Sequence, residues 1–371
     1  MTKSQKLIDR KINSLYVHIP FCEHICFYCD FAKVIKPKDK KNIETYLNNL
    51  EVELNSYNDK LNDLETIYIG GGTPSCLDPI DTKRMLEILK KYSKNTNEFE
   101  YCIELNPESI NEQNLILYKE YNINRLSIGI QTFDNDLLKK IGRIHDNSIA
   151  IEKYKLARFF GFENISIDLM YNLFNQKIEH IKTDIDFIKE LKPDHISWYS
   201  LIIKDESIWG KKNFKKPLND EYFDEHINKN LSSLGYQRYE ISNYCLNQKF
   251  SKHNLNYWNN SLFVGVGFGA SGFEQIEGKY YLTNNKGNVL NYKKQFELVS
   301  TQDYYFQIFM MGLRLVEGID ITLEKNILAY QYFEEKLNNI INKGWLVKEA
   351  NFIKCTKKGY DILNEILVEL L

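Results

Sequence analysis

The sequence predicts an α/β protein: a partial (β/α)6, TIM-like barrel followed by a smaller, mostly helical module of winged-helix type. Three observations carry that prediction. Short β-branched or aromatic runs alternate six times with longer amphipathic stretches over the first two-thirds of the chain, which specifies parallel strands joined by right-handed helical crossovers. Each run is followed closely by a polar or glycine-rich group, so that the six loops converge as they do on one rim of a barrel. After about residue 202 the alternation stops, and from about residue 303 the pattern is helical.

The strand-like runs are residues 14–19, 66–69, 99–105, 125–130, 164–169 and 195–201. Between the first two, Ile43, Tyr46, Leu47, Leu50, Leu54 and Tyr57 recur at three- and four-residue steps, one face of a helix. Further helices are expected over 79–92, 111–121, 147–160 and 178–191. Later in the chain, 221–234 reads as a helix, 237–242 as a strand and 262–270 as a glycine-laced strand or loop, and 344–360 as a helix, a short hairpin and another helix. The expected organisation is a core over 1–235, an extension over 236–300 packed on the barrel, and a C-terminal module over 301–371.

Composition narrows the function. Forty-eight basic and fifty acidic side chains leave a net charge of −2, whereas a protein that grips phosphate backbones carries a basic excess, so no nucleic-acid partner is expected. The tail is not notably basic either, which favours a packing role for the winged-helix-like module. Residues 1–14 are basic but lack the apolar segment of a signal peptide, and no run of about 18 apolar residues is present to span a bilayer. A cytoplasmic location is expected. Seven cysteines are an odd number, and three of them fall within eight residues, a distribution that suits metal or redox chemistry and not a disulfide framework. Cys76, Cys102, Cys245 and Cys355 read as small buried hydrophobes.

Cys22, Cys26 and Cys29 directly follow the first strand. A loop with these spacings wraps one small object and points its sulfurs inward, and three thiolates leave one iron of a [4Fe–4S] cubane without a protein ligand. That open iron can take a bidentate amino acid, which the methionine end of S-adenosylmethionine offers. Reducing such a cluster can cleave the sulfonium C–S bond to give an adenosyl radical. The alternative is structural zinc, which wants four closed ligands, the fourth drawn from His18, His24 or a distant cysteine. Gly70-Gly71-Gly72-Thr73-Pro74, after the second strand, adds weight to the cluster. Consecutive glycines let backbone groups approach a ligand closely, although an isolated triplet is no more than a tight turn.

These stretches resemble the radical S-adenosylmethionine (SAM) superfamily, in its oxygen-independent coproporphyrinogen III oxidase-like branch and, within that, the heme-chaperone group. The resemblance rests on LYVHIPFCEHICFYCDF (15–31), GGGTP (70–74), ELNPE (104–108), RLSIGIQTF (125–133), IGRIH (141–145), ISIDLMY (165–171), HISWYSL (195–201), YEISNY (239–244) and HNLNYW (253–258). It implies a [4Fe–4S] cluster on the three cysteines and S-adenosylmethionine beside it. Tyr16 and Tyr28 would pack near the cluster and ligand, and Gly71, Gly72 and Thr73 would hold the methionyl group. Glu104, Gln131, Arg143 and Asp168 would hydrogen-bond its ribose, carboxylate and amino groups. Taken singly, Arg143 and Glu104 would more often be surface ion-pair partners and Gln131 a helix cap.

The branch contains both enzymes and carriers. In the oxidase a further cysteine follows the triad by two residues, where this chain has Phe31, and a longer N-terminal segment covers the substrate, where 21 residues precede Cys22 here. Both differences disfavour porphyrinogen decarboxylation. His253-Asn254-Leu255-Asn256-Tyr257-Trp258 matches a pattern shared by heme-chaperone relatives: a neutral imidazole can ligate heme iron, and flat aromatic faces suit a macrocycle. The opposing reading is a satisfied histidine in a loop. Heme or porphyrin, a heme-acceptor protein, an electron donor and a homodimeric partner are the implied associations. A cluster-dependent regulatory role without catalysis is a further alternative. One departure stands out. Asn172-Leu173-Phe174-Asn175-Gln176 occupies the place of a usual Gly-Leu-Pro-Gly-Gln, and loss of both glycines is expected to change the loop after the fifth strand.

Overall fold

The computed structural model describes residues 11–371, so most of the basic N-terminal stretch, residues 1–10, lies outside the described residues. The six runs form β1 (Ser14–Ile19), β2 (Thr66–Gly71), β3 (Glu100–Leu105), β4 (Arg125–Gln131), β5 (Ile165–Tyr171) and β6 (His195–Ser200). They pair in that order and are all parallel. Their near-continuous apolar character follows from burial on both faces; β4 is buried at every position but its last.

The crossovers are α1 (Lys40–Asn55), α2 (Pro79–Leu89), α3 (Glu112–Glu120), α4 (Asn135–Ile141), α5 (Asn147–Phe159) and α6 (Ile178–Leu191). Helix α1 starts where the Asp39 side chain accepts from the Lys41 amide, and it buries Ile43, Tyr46, Leu47, Leu50 and Leu54. Helix α4 is too short for its periodicity to announce it. It is defined by its ends: the Asp134 side chain accepts from the Leu137 amide, and Gly142 closes the last turn at φ +79°.

Beyond β6 come α7 (Asp220–Ser233), β7 (Gln237–Arg238), β8 (Asn243–Cys245) and α8 (Lys252–Trp258). The glycine-laced segment then provides β9 (Phe263–Val266), followed by β10 (Ser271–Ile276), β11 (Lys279–Asn288) and β12 (Asn291–Leu298). Strand β9 lies parallel to β1 on the side away from β2, and β10, β11 and β12 add antiparallel to it in turn. The sheet order is therefore β12-β11-β10-β9-β1-β2-β3-β4-β5-β6-β8-β7, an unclosed wall of a partial barrel.

The remaining chain is mostly helical: α9 (Thr301–Gly312), α10 (Glu324–Asn342) and α11 (Leu363–Leu370), with β13 (Ile319–Asp320), β14 (Leu346–Glu349) and β15 (Phe352–Cys355) as a small antiparallel sheet. Its apolar residues Phe309, Leu337 and Ile366 are fully buried and continuous with the core of the sheet. Among the described residues no helix is long and apolar enough to cross a membrane.

Candidate functional site

Parallel strands bring their C-terminal ends to one rim, and here those ends line a cavity of about 350 Å³. Cys22, Cys26 and Cys29 from the loop after β1 face the same space as Gly71, Gly72 and Thr73 after β2, Glu104 on β3, Gln131 on β4, Asp168 on β5 and Tyr199 on β6. Tyr28 and Arg143 complete that wall. This is not the largest cavity: a cleft of about 720 Å³ lies between α8 and the C-terminal helices. Chemistry, not size, identifies the site.

The cysteine loop is held from several directions. Residues Phe21–Cys22 pair with Val34–Ile35, the Phe27 amide donates to the Ile141 carbonyl at 3.1 Å, and Lys33 Nζ donates to the Cys29 carbonyl at 2.7 Å. All seven cysteines are free thiols, and Cys76, Cys102, Cys245 and Cys355 are buried. Two side chains direct donors at the loop sulfurs: Thr73 Oγ1 at 3.4 Å from Cys22 Sγ and Arg143 at 3.6 Å from Cys26 Sγ. Burial pushes the Cys22 thiol up to about 11, opposed by the Thr73 hydroxyl, so loss of its proton needs a cation or metal at the sulfur.

The glycine turn has a steric cause. Gly71 has φ +114°, and a Cβ there would meet the His18 ring at 2.7 Å. At Gly72 a Cβ would lie 2.8 Å from the Phe21 carbonyl oxygen and 2.9 Å from Cys22 Sγ. The bare backbone lets the β2 turn lie directly against the cysteine loop.

Glu104 accepts from Tyr68 Oη at 2.8 Å and from the Gly71 amide at 3.1 Å. Burial, with Asp168 adding to it, raises its carboxyl to about 7. Asp168 is held by Ser127 Oγ, 3.0 Å from both of its oxygens, and burial raises its pKa as well. Two acids destabilised by burial on one cavity wall would be stabilised by a ligand ammonium or by ribose hydroxyls. Gln131 sits at a register shift between β4 and β5 with φ +73°, a conformation rare outside glycine and concentrated at binding sites. Arg143 is buried; it donates to Asn106 Oδ1 at 3.0 Å and to the Gly129 carbonyl, while its Nε has no partner. Burial opposes its charge, but Tyr28 and Cys26 raise its pKa further.

The fit to a cluster and S-adenosylmethionine rests on this donor set: three free thiols, donors already aimed at two of them, an orphaned buried guanidinium nitrogen and two buried acids, all lining one cavity. For zinc, His18 is spoken for, since Nε2 meets the Ala32 carbonyl at 2.7 Å and Nδ1 meets Tyr16 Oη at 3.0 Å. Exposed His24 lines the cavity. Among the described residues no group of three His, Cys, Asp or Glu side chains converges on one ion-sized point.

Two of the expected residues do not line this cavity. Tyr16 lies behind the cavity wall, stacked on Tyr68 at 6.2 Å between centroids. His253 is 1% exposed, with Nδ1 2.7 Å from Thr66 Oγ1 and Nε2 2.6 Å from Tyr257 Oη. Burial drives its pKa down to about 3, so the ring is neutral. Neither ring nitrogen is free in this arrangement, so ligation of heme iron by His253 would require one of these hydrogen bonds to break. Its neighbours Ser251 and Asn254 face the cysteine cavity, whereas Leu255 and Trp258 face the larger cleft. Helix α8 is thus a partition between two cavities.

The departure after β5 falls at turn positions. Asn172 and Asn175 have φ +61° and +60°, left-handed values that asparagine tolerates better than most side chains, so they stand where the two glycines are usual. Sequence reasoning missed Asn106, Tyr68 and Ser127. Asn106 lies within a quoted motif, and its Nδ2 bridges Thr73 Oγ1 at 3.2 Å and Glu108 Oε1 at 3.1 Å. The other two carry no signal beyond their place on strands.

Comparison with known proteins places the chain among relatives. The radical SAM superfamily model matches residues 16–188, and the HemN C-terminal domain matches residues 299–362. The chain is 35% identical to the heme chaperone HemW of Lactococcus lactis subsp. lactis, over 98% of each chain. It is 33% identical to heme chaperone HemW of Bacillus subtilis, over 96% of this chain and 98% of that one. To heme chaperone HemW of Escherichia coli it is 31% identical, over 95% and 97%. The solved coproporphyrinogen III oxidase HemN of Escherichia coli shares the fold, with a TM-score of 0.80 over 97% of this chain and 90% of that one, at 21% identity.

Proposed function

This chain belongs to the radical SAM superfamily, in the HemN-like branch that includes the HemW heme chaperones, and from that membership we propose that it binds heme and passes it to an acceptor protein. The family implies a [4Fe–4S] cluster and S-adenosylmethionine. Cys22, Cys26 and Cys29 would hold the cluster. Gly71, Gly72 and Thr73 with Glu104, Gln131, Arg143 and Asp168 would hold S-adenosylmethionine, and Tyr28 would pack beside it. When bound, the pair supplies one-electron chemistry or, in a carrier, a redox-dependent control.

The observation that carries this reading is the convergence of three free thiols and two buried acids on one cavity, in a chain that matches heme chaperones from end to end. Thr73 and Arg143 polarise sulfur, and Glu104 and Asp168 neutralise a ligand ammonium or accept from hydroxyls.

We assign the carried heme to the larger cleft. Trp258, Phe250, Leu315 and Phe352 give it apolar walls. In this reading His253 braces α8 and Trp258 meets the macrocycle.

The test is anaerobic. Reconstituted protein given coproporphyrinogen III, S-adenosylmethionine and a reductant should yield no protoporphyrinogen, while hemin added to it should give a saturable Soret change and pass to an apo-heme protein. Turnover of coproporphyrinogen, or no saturable hemin signal, would overturn the proposal.

A further inference from the structure

Asn106 lines the cysteine cavity, while Glu108 and His145 lie outside its lining. They come from ELNPE (104–108), at the end of β3, and IGRIH (141–145), at the end of α4. His145 is buried. Its Nε2 donates to the Ile130 carbonyl at 3.2 Å, and its Nδ1 lies 3.1 Å from Glu108 Oε2. Burial raises the Glu108 carboxyl, but the hydrogen bond from His145 and the charge of Arg143 outweigh that and hold it below its ordinary range. Its other oxygen, Oε1, accepts from Asn106 Nδ2 at 3.1 Å.

The charges on either side decide which way the Asn106 amide faces. Its Oδ1 accepts from Arg143 at 3.0 Å, and its Nδ2 meets the Glu108 carboxylate and, at 3.2 Å, Thr73 Oγ1. A flipped amide would set an N–H group against the guanidinium and a carbonyl oxygen against the carboxylate, two contacts between like groups. Only one orientation satisfies all three neighbours.

That orientation fixes the two donors that reach sulfur. Thr73 Oγ1 receives a hydrogen from Asn106, so its own hydrogen is left for Cys22 Sγ at 3.4 Å. Arg143 is anchored through one nitrogen to both Asn106 Oδ1 and the Gly129 carbonyl. Because the guanidinium is a rigid planar fork, pinning that nitrogen aims the other at Cys26 Sγ, 3.6 Å away. A single amide thus governs the hydrogen bonds to two of the three cysteines.

We propose that Asn106, clamped by the Glu108–His145 pair, is a positioning residue that turns the Thr73 hydroxyl to Cys22 and the Arg143 guanidinium to Cys26, and so sets how readily a cluster on those cysteines accepts an electron. Hydrogen bonds to the ligating sulfurs are one of the levers that move such a potential, and partners one step behind the ligands orient them. The inference rests on the reading of the three cysteines as cluster ligands. It is independent of the heme assignment. Since both donors depend on one amide, they are strengthened or lost together, and the effects of Asn106 and Thr73 substitutions overlap instead of adding.

Potentiometric titration of the anaerobically reconstituted full chain, followed by electron paramagnetic resonance, tests this. Asn106→Leu should lower the equilibrium constant for reduction about tenfold, which is about 59 mV for one electron. Asn106→Asp keeps the shape but replaces the Nδ2 donor by an acceptor that draws the Thr73 hydrogen away from Cys22, so its potential should fall at least as far. Thr73→Ser retains the hydroxyl and should keep the wild-type potential. Thr73→Val combined with Asn106→Leu should shift it by less than the sum of the single changes. In protein exchanged into heavy water, pulsed resonance should detect a deuteron coupled to the reduced cluster that Thr73→Val and Asn106→Asp both remove. His145→Phe, remote from the sulfurs, should lower the potential in the same direction by a smaller amount, and it carries the test if the Asn106 variants assemble no cluster. Loaded variants at the wild-type potential, strict additivity, or an unshifted His145→Phe would overturn the positioning role. Wild type that takes up no iron and sulfide would instead overturn the cluster reading beneath it.

Discussion

The hydroxyl of Thr73 donates to Cys22 Sγ across 3.4 Å, and the Thr73 amide donates to the Phe21 carbonyl at 2.8 Å. One residue of the glycine turn is thereby bound twice to the cysteine loop. Thr73→Val keeps the shape and removes the hydroxyl. The variant should retain iron and sulfide, but its cluster should be harder to reduce, because a hydrogen bond to a thiolate sulfur favours the reduced state. Electrochemical titration against wild type checks this; the lost bond is worth about 1–3 kcal/mol. An unchanged potential would count against it.

Glu104 gives a pH signature. Its carboxyl is raised to about 7, chiefly by burial, so the folded protein holds that proton more tightly than the unfolded chain. Stability from this group is complete below the unfolded value near 4.5 and is lost as pH rises through about 7, by up to about 3 kcal/mol. Asp184, fully buried against Thr132 and the Phe133 amide, is also raised to about 7 and contributes to the same window. Glu104→Gln should therefore flatten part of the slope in urea midpoints between pH 4.5 and 7, leaving the Asp184 share. S-adenosylmethionine affinity should rise with pH across 7 in wild type and not in the variant. Parallel slopes in the two proteins would remove Glu104 from this role.

Hemin titration separates the two faces of α8. His253→Ala breaks hydrogen bonds to Thr66 and Tyr257 and should lower stability by about 2–4 kcal/mol, while hemin stoichiometry and the Soret position stay as in wild type. Trp258→Ala should weaken hemin binding about tenfold through loss of an aromatic face. If the Soret band shifts in His253→Ala and not in Trp258→Ala, the assignment of heme to the larger cleft is wrong.

The loop after β5 can be probed at its asparagines. Asn175→Gly should be neutral or slightly stabilising, because φ +60° suits glycine. Asn172→Ala should cost about 1–3 kcal/mol: it meets φ +61° and loses donation to the Pro217 carbonyl at 2.7 Å and to Asp220 at 3.0 Å. Equal thermal midpoints for the two variants would show that the turn is not set by these dihedrals.

What the sequence made legible was local. The cysteine spacing, the glycine triplet and the polar groups after six strands are each contained in a few residues, and parallel pairing then forces them onto one rim. The fate of His253 was not legible, since its partner Thr66 lies 187 positions away and nothing in the HNLNYW segment says which way the ring turns. Gln131 was read as a ligand or a helix cap, but its strained φ depends on a register shift between β4 and β5. In β12 the alternating apolar residues Tyr292, Phe296 and Leu298 are interrupted by Lys294 and largely exposed, so the strand's periodic signal is weak. The two asparagines after β5 stand where glycines are usual, and their left-handed φ values are set by the folded loop and not by the residue names.

The placement of β9 beside β1 has a consequence during synthesis. The cysteines leave the ribosome early, but the segment that encloses their own strand on its far side follows roughly 240 residues later, which at about 5–20 residues per second is tens of seconds. Throughout that interval the thiols sit on a half-built edge, open to oxidants and to stray metals. A newborn chain of this topology therefore needs its sulfurs chemically guarded before it has a cavity in which to keep them.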